Sequence, residues 1–129
     1  LQEVTFAPGP VQEPRIPIWV AGMWPNRRPF RRAARYDGVA PIIFQDGQFE
    51  DITPDSLTRM MDYVNEHRSI TNHFDVTVAG TALAEPAAAA DHIAALGEAG
   101  LIWWREGWNP ESSVTVDDWH RRVLDGPPT

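Results

Sequence analysis

Apolar and polar residues alternate along the chain between two kinds of segment. Four short runs rich in β-branched and aromatic residues have the composition of strands, and each is followed by a longer stretch with apolar residues at helical spacing. The predicted strands span residues 16–21, 39–44, 74–79 and 101–104. The predicted helices span residues 26–36, 53–67, 86 to Gly97 or Gly100, and 115–124. The pattern therefore predicts four βα units in succession.

Boundary signals support two of these helices. Thr53 precedes Pro54, and proline suits the first turn of a helix because an N–H at that position has no partner within the helix. Thr115 and Asp118 match a capping box at the start of the last helix. Gly126 and the two prolines after it predict where that helix ends.

Alternating βα units of this size predict a parallel sheet with right-handed connections. Two architectures share the pattern. A doubly wound sheet carries helices on both faces, whereas a (β/α)8 barrel carries them all on one face and fills the other with side chains. A complete barrel needs about 250 residues, and this chain has 129. The spacing alone leaves both architectures open.

Composition narrows the class of protein. The chain is 43% hydrophobic and has no cysteine, which predicts a globular domain without disulfide or thiolate chemistry. No apolar run approaches the ~18 residues of a membrane span. Pro8, Pro10 and Pro14 exclude a helix from the first segment, which also lacks the features of a signal peptide. We therefore expect a cytoplasmic protein with an extended lead-in over residues 1–15 and one domain over residues 16–129.

Positive charge is concentrated in one segment of an acidic chain. There are 18 acidic and 11 basic residues, giving a net charge of −7, and every basic residue is arginine. Five of them lie close together: Arg27, Arg28, Arg31, Arg32 and Arg35. The overall acidity argues against a nucleic-acid partner. A local anion site remains compatible with the arginine-rich segment.

The loop between the first strand and the arginine-rich helix is the strongest candidate binding site. A strand, a glycine-containing turn and a helix N-terminus together present free N–H groups and the positive end of the helix dipole, which can hold a phosphate. We expect Gly22 to adopt a positive φ and Asn26 to cap the helix. An ordinary helix cap with solvated arginines explains the same residues.

Four tryptophans form a second group of candidates. Trp24 and Trp108 follow predicted strands, where they could line a planar cofactor, although tryptophan is more often a core residue. Trp103 and Trp104 are adjacent in the fourth predicted strand and must therefore face opposite sides of the sheet.

The remaining polar candidates lie on the third and fourth predicted strands. Asp75 and Thr77 are expected to share one face, with no partner evident from sequence. Arg105 and Glu106 could bind a ligand at the strand end or form a surface ion pair of little consequence. The four histidines lack the spacing of metal ligands, so no metal site is expected. No nucleophile or dinucleotide motif is present, and the catalytic residues stay unassigned.

Two motifs resemble segments of the luciferase-like monooxygenase family. The first is PVQEPRIPIWVAG at residues 10–22, and the second is RRAARYDGV at residues 31–39. In that family the first segment forms the fifth barrel strand, and the second forms the following helix and the entry to strand six. The resemblance implies an α/β fold of four βα units that form half of a (β/α)8 TIM barrel, strands five to eight.

The resemblance also implies a function. Members of the family are flavin- or deazaflavin-dependent oxidoreductases, so the implied cofactor is FMN or F420. The loop after strand five holds the cofactor phosphate, usually with Ser or Thr, whereas Met23 and Asn26 stand in that loop here. The implied cofactor-binding residues are Ala21, Gly22, Met23, Trp24, Asn26, Arg27, Arg28 and Trp108.

Half a barrel has two consequences. The family's cofactor contacts come from both halves, so this chain alone is expected to be inactive. Parallel sheets are almost always covered on both faces, so we expect self-association as a homodimer or pairing with an N-terminal barrel half. The alternatives are a noncatalytic oligomerising or anion-binding module and a doubly wound, flavodoxin-like domain, and strand order separates the latter from a half-barrel.

Overall fold

The computed structural model describes residues 8–9, 11–80, 86–107 and 115–126 of the chain. Within these ranges the elements are, in chain order, β1 (Trp19–Trp24), α1 (Arg27–Ala33), β2 (Gly38–Gln45), β3 (Gln48–Glu50), α2 (Pro54–His67), β4 (Asp75–Gly80), α3 (Pro86–Glu98), β5 (Trp103–Glu106) and α4 (Val116–Asp125). All four predicted βα units are present. None of these helices is long and apolar enough to cross a membrane.

The fold is α/β, with a mostly parallel sheet of five strands. The strands lie in the order β1-β2-β4-β5, and β3 pairs antiparallel with β2. The four parallel strands thus follow chain order without reversal. Right-handed connections then place the helices on one face, and α1 packs against α2 as α2 packs against α3. A doubly wound sheet reverses its strand order, so that alternative does not fit.

The helix-covered face of the sheet holds the hydrophobic core. Val20, Val39 and Val76 project into it from three neighbouring parallel strands. The largest fully buried apolar side chains from the helices are Phe30, Leu57, Met60, Val64 and Leu96. Full burial of such a side chain stabilises the fold by about 1.5–3 kcal/mol, so this layer fixes how the helices lie on the sheet.

The first strand begins three residues later than the sequence predicts. The structure starts β1 at Trp19, whereas the apolar run starts at Ile16. The residues before β1 are held by the carboxylate of Asp37, which accepts hydrogen bonds from the Ile18 N–H at 2.7 Å and the Arg15 guanidinium at 2.6 Å. Hydrogen bonds from Arg15 and then from the Ile18 N–H hold the pKa of Asp37 below its ordinary value. Side-chain anchoring therefore replaces strand pairing in this segment.

The arginine-rich helix is shorter than predicted. It ends at Ala33 instead of Tyr36. The N–H groups of Arg35 and Tyr36 donate to carbonyls three residues back, at 3.1 and 2.8 Å, so the chain tightens into a turn before β2. The other helix starts match their sequence signals, and both Thr53 and Thr115 head complete capping boxes.

The second strand accommodates a proline and leads into an unpredicted hairpin. Pro41 pairs in register with Gly22 of β1. On its other side, β2 pairs with β4 only at Gly38 and Val39, so the N–H that Pro41 lacks is not required for pairing with β4. After β2 the chain turns through Asp46 and Gly47, at φ of 52° and 81°, into β3. Asp-Gly with both residues at positive φ is typical of a tight hairpin turn.

Candidate functional site

The sheet face opposite the helices is uncovered in the described structure, and we call it the open face. Its side chains alternate with those of the core along each strand. The large apolar side chains exposed on it are Trp19 (39%), Met23 (44%), Ile42 (42%), Phe44 (37%), Trp103 (52%) and Phe49 (71%), which lies opposite Phe44 on β3. Ala21 and Ala40, in register on neighbouring strands, lie between them. A sheet face exposed to water usually carries mostly polar side chains, so the apolar composition of this one is unusual.

A carboxylate organises one end of the open face. Asp75, the first residue of β4, accepts hydrogen bonds from the indole N–H of Trp19 and of Trp103, each at 2.9 Å. The Nε2 of His73 lies 3.0 Å from the same carboxylate. Partial burial raises the pKa of Asp75, but the three hydrogen bonds together lower it by more than burial raises it. The pKa of Asp75 therefore lies below its ordinary value. Asp75 is therefore an ionised acceptor that joins β1, β4 and β5.

A glycine makes room for this cluster. Gly38 lies in register between Trp19 of β1 and Asp75 of β4. A Cβ at Gly38 would lie 2.6 Å from both the Trp19 Cδ1 and the Asp75 carbonyl oxygen. Any side chain here would push the indole away from its acceptor, which explains the glycine inside a strand.

A second polar contact lies further along the open face. The Arg105 Nε donates to the Thr77 hydroxyl at 2.8 Å, and Thr77 has no exposed surface. Asp75 and Thr77 thus share one face of β4, as predicted, and the structure supplies the partners that the sequence did not reveal.

Adjacent candidates on β5 point to opposite faces, as the strand alternation predicts. Trp103 lies on the open face, whereas the Trp104 indole donates to Glu106 at 3.0 Å on the helix side. Arg105 and Glu106 therefore do not build one site. Glu106 instead lies 3.7 Å from the guanidinium of Arg122 in α4.

The predicted cofactor residues of β1 divide between the two faces. Ala21 and Met23 lie on the open face, whereas Gly22 is buried on the helix side. Trp24 also faces the helices, where its ring contacts Phe30 edge-on at 5.2 Å. Trp24 thus packs as part of the core, and its role beside a cofactor stays a prediction.

The expected positive φ of Gly22 is wrong. Gly22 lies within β1 and has no positive φ. The glycine is required for a packing reason, since a Cβ there would lie 2.9 Å from Cε2 of the buried Phe30 ring. The helix therefore packs directly on the strand backbone at this point.

The turn after β1 carries the predicted phosphate site. Asn26 caps α1, accepting the Arg28 N–H through its side chain at 3.2 Å, while its own N–H donates to the Met23 carbonyl at 3.0 Å. Pro29 has no N–H to offer. The guanidinium of Arg27 lies over the ring of Tyr63 at 5.1 Å and over Trp24 at 5.9 Å. An anion at this turn would therefore be held mainly by the arginine side chains.

The last predicted cofactor residue, Trp108, lies outside the described residues. Among the described residues, no group of His, Asp or Glu side chains is arranged to hold a metal ion.

A cleft of about 410 Å³ lies on the helix side, between α3, β5 and α4. Trp104 and Trp119 form part of its walls, and the pair of Arg122 and Glu106 supplies its charges. The Nε1 of Trp119 is buried without a hydrogen-bond partner in the described part of the chain. The cleft is separated by the sheet from the open face.

Comparisons with protein families, curated proteins and solved structures gave no match.

The sequence missed the central contact of the open face. The sequence predicts that Trp19 lies in the first strand but indicates no binding site for it, and it indicates no hydrogen-bond partner for Asp75. Strand alternation in the sequence predicts one set of side chains that share a face of β1, namely Trp19, Ala21 and Met23, and another set that share a face of β4, namely Asp75 and Thr77. Only the register between the strands shows that the two sets lie on the same face of the sheet.

Proposed function

We propose that the chain is the C-terminal half, strands five to eight, of a (β/α)8-barrel oxidoreductase of the luciferase-like monooxygenase type. The observation that supports this most is the strand order: four parallel strands in chain order, with the helices on one face and an apolar open face on the other. A barrel has this arrangement, because its open face becomes the packed interior.

The turn after β1 is the proposed site of the phosphate of FMN or of a deazaflavin. Active sites of such barrels lie at the carboxyl ends of the strands, which is where β1 leads into α1. The exposed side chains of Arg27 and Arg28 bring positive charge to that end in a chain with a net charge of −7. The donors present therefore fit a phosphate group.

Met23 would contribute an apolar contact on the open face beside this turn. A bound flavin or deazaflavin supplies hydride chemistry, and the role of this chain is to bind and orient the cofactor. Arg27 is positioned by its contacts with Trp24 and Tyr63, which hold its guanidinium at the strand end.

Titration with FMN and with riboflavin tests the proposal, because the two differ only by the phosphate. Flavin fluorescence should report FMN binding that is weak, since only half of the barrel is present, but tighter than riboflavin binding. Replacing both Arg27 and Arg28 with Ala should weaken FMN binding by about tenfold or more, the effect of a lost charge-assisted hydrogen bond. The matched control replaces Arg31 and Arg32, which removes the same charge one turn further from the strand end.

Two results would contradict the proposal. FMN that binds no better than riboflavin would remove the phosphate site. Equal losses in the two double variants would indicate nonspecific attraction to the arginine-rich helix. The deazaflavin cofactor, titrated in parallel, shows which of the two ring systems the chain prefers.

A noncatalytic oligomerising module is the second candidate, favoured by the exposed apolar residues of the open face. It predicts association without any response to FMN.

A further inference from the structure

We infer that Arg105 is a substrate-binding residue, and that the substrate it holds on the open face has an apolar body and a terminal carboxylate. The inference rests on the proposed function, because it takes the open face as the interior of a barrel whose reacting molecules bind at the carboxyl ends of the strands. It does not depend on the phosphate site at the turn after β1. Four features of the described structure support it.

The first feature is the position of Arg105 in the sheet. Arg105 projects from the open face one residue before β5 ends at Glu106. Its neighbour in register on β4 is Ala79, whose side chain is too small to cover a guanidinium. Arg105 therefore lies at the end of the sheet where barrel enzymes bind their substrates, with open space beside it.

The second feature is the contact that orients the guanidinium. The Nε of Arg105 donates to the hydroxyl of Thr77 at 2.8 Å, and Thr77 is completely buried, so packing holds the acceptor in place. The two terminal nitrogens of Arg105 have no hydrogen-bond or ion-pair partner among the described residues. This pair of groups matches the two oxygens of a carboxylate. Holding the guanidinium in advance also lowers the entropy cost of binding.

The third feature is the lack of a counter-charge for Arg105 among the described residues. Asp75, which shares the open face, already accepts two indole N–H groups and contacts His73. Glu106 lies on the helix side of the sheet, beside Trp104 and Arg122. A guanidinium enclosed in a barrel is costly without an opposite charge, so this position favours an anionic ligand.

The fourth feature is the apolar surface around Arg105. Trp103 precedes it on the same face of β5, while Met23 and Ile42 lie in register on β1 and β2, and all three side chains are between 42% and 52% exposed. The ladder between β2 and β4 covers only the first two residues of β2, so it does not join the two strands at their carboxyl ends. An apolar chain or ring can lie between these side chains while its carboxylate reaches Arg105.

This anion site is separate from the proposed phosphate site. Arg27 follows β1, and its guanidinium stacks on Tyr63 of α2, on the helix side. Arg105 projects from the opposite face of β5, which is three strands away at about 4.8 Å per step. One phosphate group does not reach both, so the second site suits the substrate and not the cofactor.

Titration of the isotope-labelled chain with hexanoate and with hexanol tests the inference, because the two probes share a hydrocarbon chain and differ in the carboxylate. Nuclear magnetic resonance of the arginine Nε–H and indole N–H groups measures binding. We expect hexanoate to shift the Arg105 and Trp103 signals and to bind about fivefold more tightly than hexanol, the effect of a solvent-exposed ion pair. Arg105→Gln should abolish this preference. Arg59→Gln is the matched control, because it removes the same charge from an exposed position on α2, and it should leave the preference intact.

Thr77 provides a second test, since it acts on the ligand only through Arg105. Thr77→Val replaces the hydroxyl with a methyl group and should weaken hexanoate binding by releasing the guanidinium. Thr77→Ser keeps the acceptor and should retain binding. Circular dichroism shows whether each variant stays folded, and Arg105→Gln, at an exposed position, tests the site even if Thr77→Val unfolds.

Three results would overturn the inference. Hexanoate that binds no better than hexanol removes the carboxylate site. Equal losses in Arg105→Gln and Arg59→Gln indicate nonspecific attraction to arginine. Equal losses in Thr77→Val and Thr77→Ser reject the orienting role of the hydroxyl.

Failure here is separable from failure of the proposed function, because the hexanoate titration needs no cofactor. A chain that prefers FMN to riboflavin but does not distinguish hexanoate from hexanol retains the proposed function and rejects the carboxylate site. A chain that binds hexanoate through Arg105 but does not prefer FMN keeps the carboxylate site and rejects the cofactor assignment.

Discussion

The indole rings of Trp19 and Trp103 lie 6.1 Å apart, centroid to centroid, although two strands separate β1 from β5 in the sheet. Both rings reach over the open face to donate to the two oxygens of one carboxylate, that of Asp75. β1 and β5, the outer strands of the parallel order, are thus linked through Asp75 of β4. This contact is the main polar link across the open face, and its loss should be measurable.

Replacing Asp75 with Asn should destabilise the chain by about 1–3 kcal/mol, the cost of leaving an indole N–H without an acceptor. An amide offers one oxygen where two indoles donate, so one of them must face the amide NH2 group. Chemical unfolding followed by circular dichroism measures the change. Asp51→Asn, at an exposed position before α2, is the control and should leave the free energy of unfolding nearly unchanged. Equal stability of the two variants would show that the indole contacts contribute nothing.

Gly22→Ala should destabilise the fold by about 1–3 kcal/mol, as expected for overpacking a filled core. The added methyl group would lie 2.9 Å from the Phe30 ring, which has no exposed surface. Gly97→Ala is the matched control. A Cβ at Gly97 meets nothing within 4 Å and lies in α3, so alanine should be neutral or stabilising there. Thermal unfolding of both variants decides whether the packing explanation of Gly22 holds.

Sequence patterns predicted the order of elements because each depends on local chemistry. Threonine caps, a proline at the first turn and β-branched runs act within a few residues, so the starts of α2 and α4 agree with prediction. The hairpin of β3 was locally encoded as well, in Asp46 and Gly47, but its flanking residues do not form a long enough run to indicate a strand. The start of β1 was misplaced because the carboxylate of Asp37, nineteen residues beyond Ile18, holds the preceding segment.

The open face was harder to predict, because its contacts join residues far apart in the chain. Trp19 and Asp75 are 56 residues apart, and Arg105 and Thr77 are 28 apart. Such pairs depend on strand order and register, which a single sequence does not fix. Gly22 illustrates the same limit: its role comes from the ring of Phe30 and not from its own backbone angles.

Thr53→Ala should cost about 1 kcal/mol of stability, typical for loss of an N-cap. The Thr53 hydroxyl accepts the Ser56 N–H at 3.2 Å, and the Ser56 hydroxyl in turn accepts the Thr53 N–H at 2.9 Å, so the substitution breaks half of the capping box. Thr58→Ala is the matched control, since Thr58 is exposed within α2 and alanine is the better helix former. Urea unfolding should separate the two variants by their midpoints. If both shift equally, the cap does not contribute.

The stability of the chain should fall as the pH drops below the ordinary carboxyl value of 3.8, and Asp75 should account for part of the loss. Its pKa is lower in the folded state than in the unfolded chain. The stability that Asp75 contributes is therefore fully present above its pKa in the unfolded chain and is lost as the pH falls through its pKa in the folded state.

Asp37 and Asp118 also have lowered pKa values and contribute in the same pH window, so a variant is required to assign the effect to Asp75. Asp75→Asn removes one titrating group and should flatten the dependence of the free energy of unfolding on pH below the ordinary carboxyl value. An Asp75→Asn curve parallel to that of the wild type throughout the acidic range would mean that the indole-bound carboxylate titrates as it does in the unfolded chain.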